Sequence, residues 1–226
     1  MILDGLFFAK LLSAWLFGLS TLLSIINPLG VAFVFHDMTR WLTPRERSRL
    51  ARQIAINSFV VLVVALFLGS RVLSFFGISL EALRIAGGLT VAYSGWRMLS
   101  EEPASKDTPG AMDTAPIENM AFFPLTLPLT TGPGSIAASI ALGADRSTEV
   151  QGALLVSAIS ALLVAVSVAG CIWAAYAYAG SIARRLGPQG TLVATKVAAF
   201  LLLCIGVQIV LTGVTDTLRQ LFGGTA

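Results

Sequence analysis

The sequence predicts an all-α integral membrane protein of six transmembrane helices, arranged as two inverted-topology repeats of three helices each. Three observations carry that prediction. Of 226 residues, 56% are hydrophobic and only 12% charged, with a mean hydropathy of +0.83. A soluble domain carries about twice that share of charge, so polar side chains here are too few to coat a water-facing globule. Six long stretches hold almost no Asp, Glu, Lys or Arg, and each half of the chain opens on a span interrupted by proline and glycine. A cytosolic enzyme and a disordered chain are both excluded by these features, and the length leaves no room for a sizeable soluble domain.

The spans follow in order. Residues 11–35 form the first, and 53–70 the second, which extends past Arg71 to Phe76. The third lies near 79–99, with Glu81 and Arg84 at one end and Arg97 at the other. Residues 119–144, 150–183 and 197–215 are the fourth, fifth and sixth. About 20 helical residues cross the roughly 30 Å of hydrocarbon, so the fifth run must tilt or project beyond the bilayer. Transmembrane β-strands would alternate in polarity; the uniformly apolar residues 60–66 do not. The start, Met1 to Asp4, has no basic segment, and the apolar run after it exceeds a signal-peptide core. The first span is therefore expected to be retained.

Residues 101–118, with Pro103, Pro109, Gly110 and Pro116, read as a polar linker between a first repeat (1–100) and a second (119–226). Three spans per half is an odd number, so the second half enters the membrane from the opposite side. Pro28 and Pro133 are 105 residues apart, and Arg84 and Lys196 are 112 apart. Basic residues set the orientation. Arg40, Arg45, Arg47, Arg49, Arg52, Arg97, Lys106, Arg184, Arg185 and Lys196 fall on one side of the membrane. Lys10, Arg71, Arg84, Arg146 and Arg219 fall on the other. The positive-inside rule puts the larger group in the cytoplasm and both termini outside. The net charge of +3 thus reflects topology, not a nucleic-acid footprint.

The functional signal lies at the two breaks. Asn27, Pro28 and Gly30 interrupt the first span; Thr126, Pro128, Thr130, Thr131, Gly132, Pro133, Gly134 and Ser135 interrupt the fourth. Proline removes a backbone donor and clashes one turn back, and freed backbone groups in hydrocarbon must be satisfied by protein or by a wet cavity. A half-helix starting near Ser135 would aim its amides at a carboxylate. Carbonyls and threonine hydroxyls upstream, and Asn27 at the other break, would meet an ammonium group or small cation. One kinked helix is usually only packing; two breaks at corresponding places in two halves point to a solute site near the midplane.

These residues also resemble the MarC family. Asn27-Pro28-Leu29-Gly30 late in the first span, residues 123–136 opening the second half, and Leu83-Arg84-Ile85-Ala86-Gly87-Gly88 starting the third span stand in the same order and spacing over essentially the whole chain. The resemblance implies a six-span protein of the bacterial or archaeal inner membrane, akin to SnatA-like transporters of glycine, alanine and other neutral amino acids. Phe200 stands where the first half has Gly88, so close helix packing is not expected at that point of the last span.

Other polar residues are accessory candidates. Glu81 and Arg84 are three apart on one helix face and are expected to pair, Lys196 to snorkel to the surface, and Asn57 and Ser58 to face the same cavity, with Gln208 a weaker candidate. Trp15, Trp41, Trp96 and Trp173 read mostly as interfacial anchors. Cys171 and Cys204 read as free thiols, and the single histidine, His36, excludes a multi-histidine metal site. No nucleophile–base pair or phosphate loop is present, so no enzyme activity and no cofactor is expected. A coupling ion, sodium or proton, is left open. The expected partners are the bilayer and a small solute, with a homo-oligomer left open. The alternatives are a lipid-head-group translocase or membrane-embedded enzyme, or a structural or regulatory subunit of a membrane complex.

Overall fold

The computed structural model describes residues 2–100, 120–144 and 151–222, and every described element is helical. Helix α1 (Ile2–Ile26) passes at Asn27 into α2 (Pro28–Met38). Helix α3 (Pro44–Phe76) and helix α4 (Leu80–Ser100) complete the first half. The second half opens on α5 (Ala121–Thr130), a wide-turn helix, followed by α6 (Pro133–Ala144). A helical path Gln151–Phe222 then folds at Gly187 (φ 69°, ψ 175°) into two limbs, α7 (Val156–Gly187) and α8 (Gln189–Phe222). The expected linker, 101–118, lies outside the described residues.

Local chemistry sets these boundaries. Thr43 caps α3: its hydroxyl receives the Glu46 amide, the Glu46 carboxylate receives the Thr43 amide, and Pro44 takes the first helical position. Gly77 ends α3 in the left-handed conformation (φ 66°). The Ser79 hydroxyl accepts the Ala82 amide at the start of α4.

Among the described residues, four helices are long and apolar enough to span a membrane: Phe8–His36, Pro44–Phe76, Val156–Gly187 and Gln189–Phe222. The α5–α6 pair, bent by 69°, makes a fifth if taken as one span. The expected third span exists as α4, about 31 Å long, but Thr90, Tyr93, Ser94 and its charged ends keep it below that level of apolarity. It is instead sheltered by α8. A Cβ on Gly88 would stand 2.8 Å from the Gly206 carbonyl oxygen, and one on Gly95 2.5 Å from the Leu203 amide. The two helices therefore run antiparallel with backbones nearly touching, as small residues allow in membranes. The expectation drawn from Phe200 is corrected. Phe200 points outward (53% exposed), and Ala199, Gly206 and Gly213, seven residues apart, make the close approach.

Charged side chains pin both ends of this pair. Lys196 Nζ donates to the carbonyls of Met98 (3.2 Å) and Leu99 (2.7 Å), neutralising the negative end of α4. At the far end Arg84 pairs with Asp216 at 2.6 Å, and Gln220 donates to Glu81 at 2.9 Å. The expected Glu81–Arg84 pair is thus replaced by two bonds from α4 to α8. Asp216 stands across the helix–helix seam with ideal reach, whereas a pair along one helix face would leave α8 without partners. Trp173 sits at the middle of α7, not near its end.

The main core gathers Leu22 and Phe35 from the first span, Leu50, Ile54 and Leu62 from α3, Leu125 from α5, and Val164, Val168, Ile172 and Tyr176 from α7. It binds both halves into one bundle.

Candidate functional site

At the first break Asn27 adopts the left-handed conformation (φ 45°, ψ 59°), which asparagine tolerates better than most residues. Its Oδ1 accepts the Gly30 amide at 3.3 Å and so caps α2, with Pro28 at the first helical position. Its Nδ2 donates to the Ala198 carbonyl of α8 at 3.3 Å. The Asn27 side chain is therefore occupied at both ends: it closes a half-helix and ties the first half to the second. Gly30 is required by that tie, since a Cβ there would lie 2.5 Å from Ala198 Cβ and 2.6 Å from Asn27 Nδ2.

The second break is built by proline. Pro124 and Pro128, both preceded by cis peptide bonds, cannot donate, and Phe123 and Leu127 leave the helical region. Threonine hydroxyls take over. Thr126 Oγ1 donates to the Ala121 carbonyl and Thr130 Oγ1 to that of Leu125, each at 2.6 Å. The Thr126 carbonyl receives the Thr131 amide at 2.8 Å and its hydroxyl at 3.1 Å. All three threonines are buried. Because their protons are committed to carbonyls, their oxygens can offer an incoming group only acceptor capacity. That suits an ammonium or a metal cation better than a carboxylate.

Beyond it, the Gly132 carbonyl starts α6. It receives the Ser135 amide (3.0 Å), the Ile136 amide (3.1 Å) and the Ser135 hydroxyl (2.8 Å). Pro133 again fills a position whose N–H would have been orphaned. A Cβ on Gly132 would stand 2.8 Å from the Pro128 carbonyl oxygen, so only glycine lets the chain turn this closely.

The start of each half-helix docks on the last helix of the other half. Gly30 of α2 meets Ala198 of α8, and Gly134 of α6 lies against Gly87 and Val91 of α4. Gly87 and Ala198 are 111 residues apart, within one residue of the Arg84–Lys196 offset. Ile25, next to the first break, shares a cluster with Val91 and Leu202, and Ala138 of α6 packs on it, so one small apolar plug joins the two breaks.

Of the accessory residues, Glu81, Arg84 and Lys196 lie at the two ends of the α4–α8 pair and brace it; Lys196 stands two residues before Ala198, the partner of Asn27 at the first break. Asn57 is half-buried on α3, and Ser58 beside it is fully buried with its hydroxyl unbonded. Gln208 faces outward. No cluster of potential metal ligands occurs among the described residues.

Sequence reading missed Tyr176. It is fully buried on α7, its hydroxyl shares a 2.8 Å hydrogen bond with Thr130 Oγ1, and its ring stacks on Phe35 of α2 at 4.6 Å and 15°. It thus touches the broken spans of both halves. Its only trace in the sequence is a phenol in the middle of an otherwise apolar run, and a buried phenol needs a partner.

The family description "MarC family integral membrane protein" matches residues 12–218. A protein of Citrobacter koseri named "UPF0056 inner membrane protein MarC" is 34% identical over 210 residues, covering 89% of this chain and 94% of its own. Its namesake in Escherichia coli K12 is 33% identical over 208 residues, with the same coverage. No solved structure matches. The apolar helices fit a multi-pass protein of the inner membrane, as those relatives are named. With a family match running nearly end to end on this fold, the chain belongs to the MarC family of integral membrane proteins.

Proposed function

We propose that the two halves form an inverted-topology pair and that the protein is a secondary transporter of a small neutral solute, a neutral amino acid of the glycine and alanine class. One observation carries this reading: the start of each half-helix lies on the last helix of the opposite half. Broken helices that cross between repeats are the arrangement in which transporters bind solute near the midplane and rock one half against the other. In this reading the start of α6 holds the solute carboxylate through the Gly134 amide and the positive dipole end, with Gly132, Pro133 and Ser135 shaping that end. The acceptor oxygens of Thr126, Thr130 and Thr131 hold the ammonium group. Pro28, Gly30 and Pro128 shape the breaks, and Asn27 holds them together. Glycine and alanine at the crossings leave room for a small side chain only. Both termini face outward, and a C-terminal reporter active only in the cytoplasm would contradict that orientation.

The test is uptake by purified protein in proteoliposomes. A panel of radiolabelled neutral amino acids is offered with and without sodium and proton gradients. Saturable, gradient-dependent uptake of glycine or alanine is the expected result and identifies the coupling ion. Gly132→Leu, folded and inserted, should abolish it; unchanged uptake removes the second break from the site. No uptake by a correctly inserted wild-type sample overturns the amino-acid reading.

A further inference from the structure

The outward face of α8 carries a polar group at a depth where lipid cannot satisfy it. The two pins of the α4–α8 pair act as a ruler. Lys196 and Asp216 are 20 residues apart on α8, about 30 Å along a helix, which is the thickness of the hydrocarbon core. Gln208 lies 12 residues from the first and 8 from the second, roughly 18 and 12 Å from the two boundaries and close to the midplane. It is exposed, flanked by Val207 (46% exposed) and Leu211 (53% exposed). The neighbouring hydroxyls are spoken for: Thr212 donates to the Gln208 carbonyl at 3.0 Å and Thr215 to that of Leu211 at 2.8 Å. The Gln208 side-chain amide makes no hydrogen bond among the described residues, and it borders a shallow concavity of about 270 Å³ running to Asp216 and Arg219.

A primary amide in hydrocarbon needs both a donor and an acceptor, and another copy of the same amide supplies both. In an isologous pair, residues that lie on the two-fold axis meet their own symmetry mates. We propose that two copies of this chain pair along the outward faces of α8, about an axis parallel to the membrane normal, with their Gln208 amides hydrogen-bonded to each other at mid-depth. The rest of that face is ready for such contact. Beside the polar line of Gln208, Thr212, Thr215 and Arg219, α8 exposes Leu201, Val207, Leu211, Val214 and Leu218, and only 28% of its apolar window is buried within one chain. The pairing covers the concavity from both sides and removes the unsatisfied amide from lipid. It stands independently of what the protein transports.

A native reporter sits one turn away: Cys204 is exposed on the same face, four residues before Gln208. With Cys171 replaced by serine, oxidation or a short bismaleimide in native membranes should link Cys204 to its mate and give a band at twice the 23.8 kDa chain. Native mass spectrometry of wild-type protein in nanodiscs should show the same dimer. Gln208→Leu should weaken it about tenfold and abolish the Cys204 cross-link. Leu211→Trp, a bulky change on the same face that leaves Gln208 in place, should do likewise. Both lie on the surface of the single chain, so retained thermal stability of the monomer shows that folding is intact. A monomeric wild type overturns the proposal and assigns Gln208 to a water-filled groove of one chain. A dimer that survives Gln208→Leu, or one in which Cys204 stays unlinked, overturns it equally.

Discussion

Gly30→Ala isolates the contact on which the relation between the two halves rests. The added Cβ would stand 2.5 Å from Ala198 Cβ and 2.6 Å from Asn27 Nδ2, where carbon atoms at their optimum sit about 3.5–4.0 Å apart. Relief demands that α2 and α8 separate by roughly 1 Å, or that Asn27 swing away and give up both of its bonds. Swinging costs the α2 cap, about 1 kcal/mol, and the bond to the Ala198 carbonyl, about 1 kcal/mol. Overpacking without release costs about 1–3 kcal/mol. Gly30→Ala should therefore destabilise the protein by about 2–3 kcal/mol. Asn27→Ala should cost a similar amount, and the double variant little more, because both remove the same contacts. Ala198→Gly alone should cost about 1 kcal/mol as a helix glycine, yet in the Gly30→Ala background it should cost less than that or recover part of the loss, because it clears the Ala198 contact and leaves the one with Asn27. Reversible unfolding by SDS in mixed micelles measures all five variants, and proteoliposome uptake measures the functional consequence. If Ala198→Gly destabilises equally in both backgrounds, α2 and α8 are not in contact there and the reciprocal docking of the halves fails with it.

Further outcomes follow from other contacts. Tyr176→Phe keeps the stack on Phe35 but deletes the hydrogen bond to Thr130, so the same unfolding assay should register about 1 kcal/mol, whereas Tyr176→Ala should cost about 3–5 kcal/mol through the cavity it leaves. Equal effects would mean that the ring contributes nothing. Thr126→Val removes the hydroxyl bond to the buried Ala121 carbonyl and should destabilise by about 1 kcal/mol, with Thr126→Ser largely rescuing it; indifference to Thr126→Val would show that the hydroxyl bond contributes nothing. Lys196→Met should loosen the end of α4, seen as faster hydrogen exchange at the last turn near Ser100, while exchange near Gly88 stays slow; unchanged protection would remove Lys196 as its cap. Arg84→Ala and Asp216→Ala should have equal and non-additive effects of no more than about 1 kcal/mol, because the pair is about a quarter exposed and screened. Additive effects would show that the two do not act as a pair.

The helical class and the two breaks were legible because each is a local property. A run without charge, or a Pro-Gly interruption, means the same thing wherever the chain goes. Asn27, Thr126, Thr130 and Gly132 could be named from residue type alone, since an amide, hydroxyls and glycine beside proline are what a broken helix uses. What those groups bond to was not legible. The threonine hydroxyls are turned to the chain's own carbonyls and Asn27 to Ala198, and such partners depend on which wide-turn geometry the prolines impose and which helix passes nearby.

By itself the sequence determined that this protein lives in a bilayer, that it is helical, and that two of its helices are interrupted by proline and glycine. Apolar content, charge spacing and proline act through the backbone and the solvent, so they need no partner to take effect. The tertiary structure alone decided that Arg84 pairs with Asp216 and not Glu81, that Gly206 and Gly213 bring α8 against α4 despite Phe200, and that Tyr176 links the two broken spans. Those outcomes rest on groups 46 to 141 residues apart meeting in space. In a membrane, where lipid already satisfies any apolar face, only close fit and hydrogen bonding choose between such meetings.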